Sequence, residues 1–198
     1  MEQLSQLDHK LFLFLNNLGN PHWDWVWLAI SDKWMAIPLY ALLLFLLYRK
    51  LGLKTTVFTL VIVALLIAST DQLANLFKHG FERLRPCGQE GVREYARFVA
   101  KRCGHYGFFS AHAANSAGVA VFLGLVFRRF YRNMIWFLAF WAVIVAYSRV
   151  YLGVHYPGDI LVGMLIGSLL GYIFFRLYLF LLKKYGKKLT SSEAHKTT

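Results

Sequence analysis

Residues 148–159 read SRVYLGVHYPGD and place an arginine, a histidine and an aspartate in one short stretch of an apolar chain. Asp159 follows His155 by four residues, so its carboxylate can accept the ring N–H of the histidine and fix the tautomer. A histidine held in this way is a nucleophile or a base near neutral pH. Arg149 adds a planar cation that matches phosphate oxygens. The stretch therefore favours chemistry on a phosphoryl group.

Two further polar segments contain complementary groups. Lys78 and Arg85 lie in the first segment, KHGFERLRP, while Ser110 and His112 lie in the second, FSAH. Fixed cations stabilise the charge that spreads over a phosphoryl group in the transition state. The helix that follows Ser110 offers free backbone N–H groups to phosphate. Because these segments hold no dense carboxylate cluster for Mg²⁺, we expect a site without metal or cofactor.

The spacings K-x₆-R-P, S-x-H and S-R-x₅-H-x₃-D within residues 78–159 resemble the three-part signature of the type-2 phosphatidic acid phosphatase superfamily. The resemblance implies that His155 attacks phosphorus and forms a phosphohistidine, and that Asp159 orients it. His112 would protonate the leaving oxygen and then assist water. The residues implied to hold the phosphoryl oxygens are Lys78, Arg85, Ser110 and Arg149.

The middle segment departs from the family pattern, which is usually Pro-Ser-Gly-His, because Phe109 and Ala111 replace the proline and the glycine. A glycine matters where the backbone needs a positive φ or a close approach. Alanine is the smallest substitute, so we expect the site to be retained with altered geometry.

The chain that carries these groups is suited to a bilayer. It has 198 residues, 58% of them hydrophobic, and several apolar runs approach the roughly 20 residues that a spanning helix needs. We expect an all-α, polytopic membrane bundle forming one domain, in preference to a soluble helical bundle. The expected transmembrane helices, about five in number, lie at residues 34–48, 54–77, 111–127, 133–148 and 157–182.

The segments before and between these spans carry further predictions. Residues 1–20 predict an amphipathic helix in the membrane interface, because leucines recur at helical spacing around polar residues. Residues 22–49 fit either one long helix or an interfacial helix followed by a short span. Residues 78–110 are expected to form an outward loop, and residues 183–198 a basic cytoplasmic tail.

Clusters of basic residues mark the expected cytoplasmic side. They lie at residues 48–54, 128–132 and 183–188, at the ends of apolar runs. Lysine and arginine are enriched in cytoplasmic loops, so the net charge of +12 indicates topology rather than nucleic-acid binding. The three polar segments then meet at the opposite, outer face.

Asp71 is a candidate for a supporting role, because an ionisable group within a membrane needs a partner. Asn75 and Lys78 lie on its helix face, while Asn115 lies on the face of His112. We predict that both faces point into the bundle and form a polar layer beneath the phosphate. There Asp71 is either a structural partner of Lys78 or another cation, or a group that tunes the site.

The outward loop contains the two cysteines of the chain, Cys87 and Cys103. In an oxidising compartment a disulfide between them would stabilise the loop by about 3 kcal/mol. Free thiols are the alternative.

The resemblance implies an integral-membrane lipid phosphatase of the bacterial inner membrane, with its site on the periplasmic side. Undecaprenyl diphosphate ranks first among the expected substrates and lipid A second, with phosphatidylglycerol phosphate and phosphatidic acid as alternatives. A vanadium haloperoxidase shares the phosphate-type pocket, but those enzymes resemble soluble helical proteins. A transporter or scaffold without catalysis is the other class, and the intact residues His112, His155 and Asp159 argue against it.

Overall fold

The computed structural model describes residues 2–32 and 34–191, with side chains described as far as Tyr185. These residues are almost entirely helical and form no strand. The α-helices in chain order are α1 (Glu2–Asn17), α2 (Asp24–Ser31), α3 (Ile37–Phe81), α4 (Ala111–Phe127), α5 (Met134–Tyr151) and α6 (Pro157–Ser191).

The helix α3 consists of two arms joined at Gly52, where φ is 73° and ψ is 170°. Glycine adopts a positive φ at little cost. Tyr40 from the first arm, residues 37–51, lines the same cavity as Ile67 from the second arm, residues 53–81. A continuous helix would separate these two side chains by about 40 Å at 1.5 Å per residue. The arms therefore fold back on each other as a helical hairpin.

Among the described residues, three helices are long and apolar enough to cross a membrane: α3, α5 and the part of α6 from Pro157 to Tyr185. The helix α4 is a shorter apolar helix of 17 residues. The expected all-α, polytopic membrane bundle is confirmed. The count of about five spans, which corresponds to both arms of α3 with α4, α5 and α6, stays a prediction.

Residues 22–49, for which one or two helices were expected, contain two. The helix α2 ends at Ser31, and Asp32 has an extended conformation, with ψ of 128°. The helix α3 begins at Ile37. Further along, α6 continues through residue 191, so the basic tail begins as helix. Residues 192–198 of that tail lie outside the described residues.

Close packing between α4 and α6 sets the centre of the bundle. Most side chains of α4 are buried, as expected for a helix that is apolar on all faces. On α6, glycines recur every four residues against the α4 backbone. A Cβ at Gly163 would lie 2.6 Å from the carbonyl oxygen of Ser110, and one at Gly167 would overlap that of Ala114. Small residues allow this backbone approach, which brings the starts of α4 and α6 together.

The basic clusters meet at the other end of the bundle. The Lys50 ammonium group lies 5.6 Å from the ring centroid of Tyr131, so the Gly52 turn contacts the α4–α5 connection. Arg129 from that connection lines a groove with Leu182 of α6. The helices therefore carry their basic ends together, and the polar segments lie at the opposite ends.

The helix α1 packs beside α5 and α6 with one apolar face exposed. Phe12 and Asn16 are fully buried on its inner face. The exposed face carries Leu4, Leu7, Leu11, Phe14 and Leu18. This two-sided pattern fits the predicted amphipathic helix, and its position in the membrane interface stays a prediction.

Candidate active site

A cavity of about 400 Å³ lies where α3 and α5 end and α4 and α6 begin. Both predicted catalytic histidines line it, His112 from the first turn of α4 and His155 from the turn before α6. The predicted phosphate-binding residues that also line it are Lys78, Arg85 and Arg149. The three polar segments of the sequence therefore converge on one cavity.

Different elements hold the three cations. Lys78 lies in the last turn of α3 and Arg149 in the last turn of α5. Arg85 lies in the loop, where its Nε donates to the carbonyl oxygen of Tyr106 at 2.9 Å. Burial lowers the pKa of Arg85, although the nearby carboxylate of Asp159 opposes this shift. The Nη1 group of Arg149 donates to the hydroxyl of Ser31, which connects α5 to the end of α2.

The loop that carries Arg85 is shorter than expected and is closed by a disulfide. The helix α3 continues to Phe81, so the loop begins at Glu82 rather than at residue 78. Cys87 and Cys103 are bonded, with their Cα atoms 6.6 Å apart. This bond gives the loop a fixed base beside the cavity.

A tight turn between α5 and α6 places His155. Gly153 has a φ of 81°, and a Cβ there would lie 2.6 Å from the carbonyl oxygen of Arg97. The backbone N–H groups of Val154 and His155 both donate to the carbonyl oxygen of Arg149. The turn thus connects a cation of the cavity directly to the histidine.

Asp159 is fully buried and orients the histidine. Its Oδ2 lies 3.3 Å from Nδ1 of His155 and accepts the backbone N–H of Tyr156 at 3.0 Å. This pairing leaves Nε2 of the imidazole as the free nitrogen. Burial lowers the pKa of His155 to about 4, against the opposing effect of Asp159. The ring is therefore neutral at pH 7, as a nitrogen nucleophile must be.

Ser110 is a helix cap in this structure. Its side chain is fully buried and accepts the backbone N–H of Ala113 at 3.5 Å. Its own N–H donates to the carbonyl oxygen of Asp159 at 3.0 Å. This cap uses Oγ as an acceptor and leaves its O–H as a donor, so the predicted contact between Ser110 and phosphate stays a prediction.

The alanine that replaces the family's glycine fits its position. Ala111 is the first residue of α4 and lines the cavity. Among the described non-glycine residues, only Glu82 has a positive φ. The backbone at Ala111 therefore does not require glycine.

Asp71 and Asn115 both line the cavity, beneath the cations. The Nδ2 of Asn115 donates to Oδ1 of Asp71 at 2.8 Å, and Thr70 donates its hydroxyl to Asn115. Both faces point into the bundle, as predicted. Within the described side chains, the hydrogen-bond partner of Asp71 is Asn115 rather than Lys78 or another cation.

Two residues beside Asp159 were missed by sequence reasoning. Arg83 donates to Asp159 at 2.7 Å and to Asp8 at 2.6 Å. Neither residue was assigned a role in the sequence analysis. The sequence did contain one indication, because an ionisable residue in an apolar helix needs a partner.

The described residues contain no group of three or more metal-ligating side chains.

The fold and the site together define a membrane-embedded phosphatase. The PAP2 superfamily model matches residues 59–183. The chain therefore belongs to the PAP2 superfamily, as its motifs indicated. It is an enzyme and a multi-pass membrane protein whose relatives are lipid phosphatases. These relatives argue against the haloperoxidase and scaffold alternatives.

Several curated proteins are similar over most of the chain. A lipid A 4'-phosphatase of Bacteroides thetaiotaomicron is 38% identical, with 88% of this chain and 78% of the relative covered. One of Porphyromonas gingivalis is 34% identical, with 91% and 76% covered. An undecaprenyl-diphosphatase of Sulfolobus acidocaldarius is 32% identical, with 82% and 67% covered.

The fold is also found in a solved structure, the PAP2-type phosphatidylglycerolphosphate phosphatase of Bacillus subtilis. The TM-score is 0.70 at 20% sequence identity, and the match covers 95% of this chain and 88% of that chain. The helical arrangement described above is therefore a known membrane phosphatase fold.

Proposed function

We propose that the protein removes a phosphate group from lipid A through a phosphohistidine intermediate, on the periplasmic side of the bacterial inner membrane. The observation that carries this proposal is the junction of the cationic cavity with an apolar groove. The groove has a volume of about 210 Å³ and shares Tyr40, Ile67 and Val119 with the cavity. A phosphorylated headgroup in the cavity can therefore extend a hydrocarbon chain into the groove, as a lipid phosphate requires.

The geometry supports a two-step transfer. In the first step, Nε2 of His155 attacks phosphorus while the bond to the lipid oxygen breaks, and His112 gives that oxygen a proton. The new N–P bond makes the ring cationic, and the Asp159 carboxylate at 3.3 Å stabilises it. In the second step, water attacks phosphorus, His112 takes the proton of the water, and the N–P bond breaks to release inorganic phosphate. Throughout, Arg85 and the other cavity cations neutralise the phosphoryl oxygens.

We favour lipid A over undecaprenyl diphosphate as the substrate, although undecaprenyl diphosphate ranked first in the sequence analysis. Two relatives that cover 88% and 91% of this chain are lipid A 4'-phosphatases. The similarity to an undecaprenyl-diphosphatase keeps undecaprenyl diphosphate as the second candidate.

Two features support a site outside the cytoplasm. The Cys87–Cys103 disulfide lies in the loop beside the cavity, and disulfides persist in oxidising compartments. The basic clusters lie at the opposite ends of the helices, as expected for a cytoplasmic surface. A C-terminal fusion tests this orientation: green fluorescent protein should fluoresce there and alkaline phosphatase should be inactive. The reverse result would place the site in the cytoplasm.

Phosphate release from a lipid panel tests the activity itself. Purified wild-type protein and the His155→Ala variant are compared in detergent micelles containing EDTA. The substrates are lipid A, undecaprenyl diphosphate, phosphatidylglycerol phosphate and phosphatidic acid. We expect the highest kcat/KM with lipid A, no turnover by His155→Ala, and an acid-labile phosphoenzyme in the wild type only. A higher kcat/KM with another lipid would refute the substrate, and full activity of His155→Ala would refute the mechanism.

A further inference from the structure

The guanidinium group of Arg83 lies between two carboxylates. Its Nη1 donates to Oδ1 of Asp159 at 2.7 Å, and its Nη2 donates to Oδ2 of Asp8 at 2.6 Å. The same group lies 4.4 Å from the ring centroid of Tyr156, within cation–π range. The exposed fraction is 24% for the Arg83 side chain, 13% for Asp8 and 0% for Asp159. Arg83 is therefore held on three sides.

Asp8 also caps the helix that carries Asp159. Its Oδ1 accepts the backbone N–H of Gly158, in the first turn of α6, at 2.8 Å. A carboxylate at a helix N-terminus satisfies a free N–H group and interacts favourably with the helix dipole. A Cβ on Gly158 would lie 2.7 Å from Asp8, so the glycine leaves room for this contact.

The rest of α1 fixes Asp8 in place. His9 stacks on Tyr156 with centroids 4.8 Å apart, and Phe12 meets the same ring edge-on at 5.3 Å. One turn further, Nδ2 of the buried Asn16 donates to the carbonyl oxygens of Val150 and Tyr151 at 3.0 Å each. The helix α1 is thus attached to both sides of the turn that places the nucleophile.

We propose that Asp8 and Arg83 are positioning residues for the phosphohistidine reaction, and that they hold the Asp159 carboxylate in the orientation that His155 needs. This inference rests on the proposed mechanism. Neither residue is among those that line the catalytic cavity, so both act through Asp159. Arg83 occupies Oδ1 of that carboxylate, which leaves Oδ2 for the imidazole and for the Tyr156 N–H. Asp8 in turn sets the position of Arg83.

Charge-changing variants separate positioning from a purely structural role. We compare Arg83→Gln, Arg83→Lys and Asp8→Asn with the wild type, by kcat, KM and the pH profile of kcat/KM. The control is Arg93→Gln, because Arg93 lies in the same loop and pairs with Glu94, away from the turn that places His155. All variants are first compared by thermal unfolding.

We expect kcat to fall about 10- to 100-fold in Arg83→Gln and Asp8→Asn, as for other residues that orient an active group. KM should stay within about twofold, and Arg93→Gln should match the wild type within about twofold, as expected for a surface substitution. Arg83→Lys should recover only part of kcat, because one ammonium group cannot reproduce the planar guanidinium that bridges the carboxylates of Asp8 and Asp159.

The acid limb of kcat/KM gives a second result, because it follows protonation of His155. Without Arg83, the Asp159 carboxylate is left to stabilise the cationic imidazole alone, so the limb should move to higher pH in Arg83→Gln. Arg83→Lys and Asp8→Asn keep the cation and should show no upward move. The other charged or titratable groups near the pair stay unchanged in these variants, namely Arg85, Arg149, His9, His112 and Tyr156.

Several outcomes would overturn the inference. Unchanged kcat in Arg83→Gln would do so, as would an equal loss in Arg93→Gln. The same upward limb in Asp8→Asn as in Arg83→Gln would indicate general loosening instead. His155→Ala in the same assay separates the two proposals: if wild type and His155→Ala were equally active, the phosphohistidine mechanism itself would fail.

Discussion

Replacing Asp159 by asparagine removes the negative charge beside His155, the proposed nucleophile, while keeping the shape of the side chain. The carboxylate lies 3.3 Å from Nδ1 of His155. At an effective dielectric constant of about 20, two unit charges at that distance interact by about 5 kcal/mol. The imidazole of His155 becomes cationic only when the N–P bond forms, so this stabilisation is specific to the reaction. At about 1.4 kcal/mol per factor of ten, Asp159→Asn should lower kcat by about 10³- to 10⁴-fold.

The pH profile distinguishes this effect from misfolding. The neutral form of His155 is the active one, so kcat/KM should fall as the pH drops through its pKa of about 4. The Asp159 carboxylate raises that pKa, so its removal should move the acid limb to lower pH even as the plateau falls. Phosphate release from lipid micelles between pH 3 and pH 9 measures both changes. A loss of kcat below tenfold, or a limb that moves to higher pH, would refute the reasoning.

Three further substitutions test supporting features. Gly167→Val places a branched side chain against the α4 backbone and should destabilise the bundle by at least about 3 kcal/mol, measured as a lower Tm; an unchanged Tm would contradict the close packing. Cys87→Ser should destabilise the loop by about 3 kcal/mol. The Tm of this variant should not respond to reductant, whereas the Tm of the wild type should fall when the disulfide is reduced. Asp71→Asn should lower kcat/KM about tenfold, the loss of roughly one hydrogen bond to a charged group, and wild-type turnover would exclude Asp71 from a supporting role.

Hydropathy located the helices well but not all of their ends. The predicted bounds of the third span, 111–127, are those of α4. The second span was expected to end at residue 77, yet α3 continues to Phe81. Hydropathy reports where a chain leaves the membrane, whereas a helix continues as long as its backbone hydrogen bonds do. Lys78 and His79 are compatible with helix, so composition could not mark its end.

Motif spacing identified the residues that line the site but not the residues that hold them in place. The convergence of His112, His155 and the three cations followed from chain order, because each lies at or beside a helix end on the same side of the bundle. The contact between Asp8 and Arg83 joins residues 75 positions apart, and no local periodicity predicts such a pair. Ser110 shows a second limit, since a motif gives the residue type but not its role as the cap of α4.

The attachment of α1 to the start of α6 has a consequence for biogenesis. The contact between Asp8 and Gly158, which attaches α1 to α6, joins residues 150 positions apart in the chain. Under the proposed mechanism, a chain released before α6 is synthesised lacks Asp159 and the contact of Asp8 with Gly158, so it should not hydrolyse lipid phosphates. Hydrolysis should therefore begin only after the last helix has been inserted.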